Sequence, residues 1–204
     1  MQIDPREMVA VAMNVHGQLA DSHGNGEVVL GAFAVAGELG RVLWRLRYGE
    51  MGHAREMDRA TTLLAKRLRA EACVRVRGRG LRDRGPTAGA AGADVFHRLA
   101  QRAVWEWLHD ECPECGGVVV ATVPDPTHVL GARAFSCAAC RGTGRAQHSD
   151  ASRAASVGLP MEVFVRRWRD RLMAALALLD RFDGDTEVTM QKQLRPLARS
   201  KSSA

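Results

Sequence analysis

Two CxxC pairs, Cys112-Pro113-Glu114-Cys115 and Cys137-Ala138-Ala139-Cys140, hold four of the chain's five cysteines. They constrain the middle of the chain more than any other feature. Four thiolates at this spacing close a tetrahedral shell around one Zn²⁺. Each pair reads as a tight knuckle, and the glycines that follow (Gly116-Gly117, then Gly142 and Gly144) let backbone amides turn back toward the sulfurs. The 21 residues between the knuckles slightly exceed the usual spacing of such sites, so this segment needs structure of its own. Val118 to Val123 is rich in β-branched residues, Pro124-Asp125-Pro126-Thr127 is a turn, and Ala132 to Phe135 returns beside the first run. The expected unit is a β-hairpin clamped at its base by the metal.

Two disulfides, or cysteines buried as small hydrophobes, are the competing readings. Regular spacing and the lack of a secretory segment at the start favour zinc. Four thiolates leave no open position for water or substrate, so the expected Zn²⁺ is single and structural rather than hydrolytic. His109 and His128 are not needed as ligands and read as solvated. Cys73 has no partner in sequence and reads as a reduced thiol.

A chain of 204 residues with 46% hydrophobic residues can build a real core, in one large or two small domains. The apolar run from Val28 to Val35 is too short to span a bilayer, which points to a soluble, cytoplasmic protein. The formal charge of +6 favours anionic partners, and it is unevenly spread. Residues 66–84 carry eight basic groups against two acidic ones, and residues 141–204 carry twelve against seven.

Fold class is expected to be mainly α: a helical domain with an inserted zinc-bound β-hairpin and a helix-turn-helix. The N-terminal helical region, 1–77, contains a helix running from the Asp4-Pro5 start toward Asp21-Ser22. After a Gly-Asn-Gly break come one helix from about Glu27 to Arg47 and another from about Ala54 to Ala72, separated by the turn Tyr48 to Gly52. Residues 78–93 are rich in glycine and arginine without an apolar period and read as a linker or loop. From Asp94 a further helix leads into 94–186, the zinc-hairpin and DNA-binding region, and 187–204 reads as a flexible basic tail. No Ser-His-Asp set, paired carboxylates or phosphate loop suggests an enzyme.

Beyond the second knuckle, Ser149 to Val157 reads as a short capped helix, Gly158-Leu159-Pro160 as a turn, and a long helix starts near Met161. This is the outline of a helix-turn-helix, with Ala154 at the crossing and Val157, Leu159, Phe164 and Trp168 as shared core. Phe164, Trp168, Leu172, Ala175, Leu179 and Phe182 continue one inward stripe. That stripe turns Met161, Glu162, Val165, Arg166 and Arg169 outward. Arg166 and Arg169 are the candidate guanine contacts, Glu162 can accept from cytosine, and Arg153 and Arg167 are candidates for phosphate. An amphipathic helical hairpin with a solvated arginine face is the competing reading.

The knuckle sequences Cys-Pro-Glu-Cys-Gly-Gly and Cys-Ala-Ala-Cys-Arg-Gly-Thr-Gly-Arg resemble those of the DnaJ-type zinc domain. That domain has four knuckles where this chain has two, and the J-domain His-Pro-Asp tripeptide is absent. A CxxC-hairpin-CxxC unit followed by Gly-Thr-Gly-Arg, a Ser-Asp-x-x-Arg-Ala helix and a Trp-Arg-Asp-Arg-Leu helix resembles bacteriophage late antitermination proteins of the Q type, over residues 94–183. The resemblance implies binding of double-stranded DNA near a late promoter in a bacterial host cell. It further implies loading onto a paused RNA polymerase that carries its sigma factor, followed by readthrough of terminators. Cys112, Cys115, Cys137 and Cys140 would then hold Zn²⁺ and the helix from Met161 would face DNA, while the arginines at 66–84 are candidates for DNA or nascent RNA. A repressor or activator that never travels with polymerase is the alternative, and a zinc-ribbon RNA-binding module is a third class.

Overall fold

The computed structural model describes residues 4–14, 25–49, 53–78, 90–118, 120–124 and 132–201. Eight helices and one two-stranded sheet occupy them: α1 (Pro5–Asn14), α2 (Asn25–Val35), α3 (Glu38–Tyr48), α4 (His53–Gly78), α5 (Ala90–Leu108), β1 (Val120–Pro124), β2 (Ala132–Ser136), α6 (Asp150–Val157), α7 (Met161–Arg167) and α8 (Arg169–Lys201). The chain is mainly α. Residues 15–24, most of the Arg/Gly-rich stretch, the hairpin turn with His128, and the side chains of Cys73, Arg75 and Arg77 lie outside this description.

One apolar cluster draws on α3 through α8. Leu43, Leu64, Leu99, Phe164, Leu172 and Leu179 have no solvent exposure, so the N-terminal helices and the region after residue 94 share a single interior. Trp168 packs edge-on against Phe96, with ring centroids 5.1 Å apart. Here the inward stripe reads as the sequence suggests: Phe164, Trp168, Leu172, Ala175 and Leu179 are all buried and Phe182 is partly so. A second cluster joins Val9, Val29, Phe33 and Trp44 to Met190 and Leu194 near the end of α8.

Three differences from the sequence reading have physical causes. The single helix expected from Glu27 to Arg47 is two, broken at Ala36-Gly37. The Arg41 guanidinium donates to the carbonyls of Ala34 and Ala36, replacing the intrahelical donors α2 would otherwise need. The long helix from Met161 is also interrupted, at Trp168, whose φ of −118° and ψ of −21° leave helical geometry and separate α7 from α8. Finally, instead of a flexible tail from residue 187, α8 continues to Lys201, because Met190 and Leu194 have an apolar cluster to fill.

β1 and β2 pair antiparallel, with Val120 opposite Ser136 and Pro124 opposite Ala132. The pairing sets the first knuckle just before β1 and the second just after β2. A short second pairing closes the unit below the knuckles: the Cys112 amide donates to the Gly144 carbonyl at 2.8 Å, and the Ala146 amide to the Asp110 carbonyl at 2.8 Å. Glu111 and Arg145 face each other in that bridge.

Candidate metal centre and adjoining helix pair

The knuckles converge. All four sulfurs, of Cys112, Cys115, Cys137 and Cys140, lie within 4.8 Å of one another. Across the knuckles Cys112 and Cys137 are 3.9 Å apart and Cys115 and Cys140 3.8 Å. A disulfide would need about 2.05 Å, whereas sulfurs at ~2.3 Å from a central tetrahedral ion stand about 3.8 Å apart. The donor set and spacing fit a single metal ion held by four cysteines.

Backbone geometry explains how each knuckle turns. Gly142 and Gly144 adopt φ of 76° and 69°, a region costly for side chains with a Cβ, and this points the Gly144 amide at the Cys140 sulfur, 3.3 Å away. In the first knuckle the Gly116 amide returns to the Cys112 carbonyl at 2.8 Å. Burial pushes the Cys115 thiol up to about 12, reinforced by its three neighbouring thiols. Cys140 feels the same upward push of burial, but donors from the Gly144 amide, Cys137, Cys115 and the Gly142 amide outweigh it and lower the thiol to about 6. Cys112 and Cys140 are buried and Cys115 and Cys137 half-buried, so a bound ion would be largely shielded from solvent.

The segment leaving the second knuckle runs directly into α6. Ser149 caps that helix, its hydroxyl accepting from the Ser152 amide at 3.2 Å. Gly158 ends it with φ of 70° and ψ of 40°, and its amide returns to Ala154 and Ala155. From α5, Arg98 donates to the Val157 carbonyl at 2.6 Å and Arg102 to the Ser156 hydroxyl at 3.0 Å, so the end of α6 is tied to α5. Three residues separate α6 from α7, and the two helices bury Ala154, Val157 and Phe164 between them and the core.

The sequence candidates on this pair have three different environments. Met161 is 55% exposed and Val165 37%, and Glu162, Arg166 and Arg167 also face solvent. Arg169 is exposed but forms an ion pair with Asp150 at 3.1 Å. Arg153, read from sequence as a phosphate contact, is instead turned into the protein, where Nε and Nη2 grip both oxygens of Glu106 at 2.7–3.1 Å. The reason is that Glu106, 2% exposed on its side chain, requires cationic donors, and Arg102 alone supplies just one hydrogen bond, at 2.6 Å. Burial works against the Glu106 carboxylate, yet the hydrogen bonds from Arg153 and Arg102 outweigh it and hold its pKa below the ordinary range.

Sequence reasoning missed this triad and one further link. Arg47 of α3 donates to the Trp107 carbonyl at 2.8 Å and to Asp110 at 2.9 Å, with its guanidinium 4.0 Å from the Trp107 ring centroid. It thereby fastens the start of the cysteine module to the N-terminal helices. The i, i+4 spacing of Arg102 and Glu106 was a weak signal for the first; nothing local announced the second. Among the described residues, no helix is long and apolar enough to cross a membrane. A scan against protein-family models and a search of curated proteins give no match.

Proposed function

We propose that the chain is a zinc-stabilised, DNA-binding transcription regulator, acting as a late antitermination factor of the kind its residues 94–183 resemble. One observation carries the reading: a four-cysteine cluster leads within nine residues into a capped helix pair whose second member turns Met161, Glu162, Val165, Arg166 and Arg167 to solvent. In this reading Zn²⁺ is held by Cys112, Cys115, Cys137 and Cys140 and supplies structural cross-linking. The protein's own groups do the recognition. α7 enters the major groove; Arg166 offers two parallel donors to guanine, Glu162 accepts from cytosine, and Arg167 meets phosphate. Arg153 is removed from the set because Glu106 holds it.

Antitermination adds bacterial RNA polymerase with its sigma factor as the second partner, after the DNA element has placed the protein at a paused complex. A terminator-readthrough assay with purified polymerase tests this, using a template carrying the native late promoter. Readthrough that requires both this protein and the promoter-proximal DNA is the expected result. Sequence-specific binding with unchanged termination would assign the protein to repressors or activators that stay at their site.

A further inference from the structure

The arginines of the helix pair are not equivalent, and their inequality follows from two acidic residues. Glu106 grips Arg153 with three contacts of 2.7–3.1 Å in a nearly closed site, which takes that guanidinium out of reach of any ligand. Arg166 and Arg167 are exposed, and no ion pair engages either among the described residues. Arg169 stands between these extremes. Its side chain is 51% exposed, at the first position of α8 beside the exposed face of α7, yet its guanidinium sits 3.1 Å from Asp150 at the first position of α6.

Asp150 is 20% exposed on its side chain, is the only carboxylate paired with Arg169 among the described residues, and also lies 3.9 Å from Arg153. A carboxylate and a DNA phosphate compete for the same guanidinium donors in the same planar geometry. We infer that Asp150 restrains DNA affinity: by occupying Arg169 it withholds one phosphate contact from sequence-independent DNA binding. This rests on the DNA-binding reading above. Phosphate contacts set nonspecific affinity, whereas base contacts set discrimination. Neutralising one arginine at the edge of the reading face lowers affinity for every duplex sequence alike and leaves the Arg166 contact, and with it discrimination, untouched.

The experiment measures binding of the full-length, metal-loaded protein to a mixed-sequence duplex as a function of salt. Asp150→Asn frees Arg169, and the slope of log K against log salt should steepen by about 0.9, the value of one added phosphate contact. Its affinity advantage over the unaltered chain should then shrink about 3.5-fold between 50 and 200 mM salt. Arg169→Ala alone should leave the slope unchanged, and the double variant D150N/R169A should return to it. An unchanged slope in D150N, or a slope reduced by about 0.9 in R169A, overturns the inference. Should D150N fail to fold, judged by helix content and metal content, R169A decides alone by the same criterion. If the unaltered chain shows no salt-dependent binding to duplex DNA, the DNA-binding reading itself fails and this inference falls with it; a binding chain with the wrong variant slopes sinks the inference only.

Discussion

The helical body and the cysteine module keep their shapes by different means. The described parts of α3, α4 and α5 bury side chains along their length, with Leu43, Leu64, Leu99, Ala103 and Val104 wholly inaccessible. Between residues 109 and 149, Cys112 and Cys140 are the only buried hydrophobic residues among those described. Among the described side chains of this module there is little apolar burial to offset the entropy of ordering its loops. Its four clustered sulfurs are placed to supply that tie through a single metal ion. The contrast teaches that the orientation of α6 and α7, which joins both regions, depends on a core on one side and on a metal-tied segment on the other.

The largest effect should come from removing the metal. Chelation, or Cys115→Ser, is expected to abolish amide-exchange protection at Gly116, Gly142 and Gly144 while α3, α4 and α5 keep theirs, because binding and local folding are coupled. Protection retained in the knuckles of metal-free protein would erase the distinction between the two regions. Next, Trp168→Ala should lower global stability by about 3–5 kcal/mol, since it empties a large core volume at the α7–α8 junction. Metal content should remain unchanged; loss of the metal as well would show that core and module are one cooperative unit.

Glu106→Ala should cost about 3 kcal/mol in denaturant unfolding, because Arg102 and Arg153 then lose their shared counterion in a mostly closed site. The same carboxylate gives a pH dependence. Its folded pKa is depressed, so its stabilisation is fully present above the unfolded value of about 4.3 and is lost as pH falls through the lower folded value. Acid unfolding monitored below pH ~4.3 should therefore be less steep in Glu106→Gln than in the unaltered chain. Equal steepness would mean that the triad does not titrate with unfolding. The smallest effect belongs to the surface: Arg166→Ala should cost about 1–3 kcal/mol for one base pair of a specific site, with stability and metal content intact. A uniform loss across all sequences would make Arg166 a phosphate contact.

The same contrast governs what could be read from sequence. The cysteine quartet was legible because metal ligation imposes fixed spacing and glycine placement, both local properties. The stripe from Phe164 to Phe182 was legible because helical burial repeats every three or four residues. The break at Trp168 was hidden, since Phe164, Trp168 and Leu172 keep that spacing straight through it and the Leu172 amide still reaches the Trp168 carbonyl at 2.9 Å. Arg41 ending α2, and Arg153 turning from solvent to Glu106, were hidden for another reason. Each depends on which side chain meets which group in space, and Glu106 and Arg153 are 47 residues apart.

Metal content tests the central claim most directly. The account predicts one zinc per chain in protein purified under reducing conditions without added metal, with all four knuckle thiols protected from alkylation until a chelator is added. A fully folded chain that contains no metal, and whose four knuckle thiols all react at once, would contradict it.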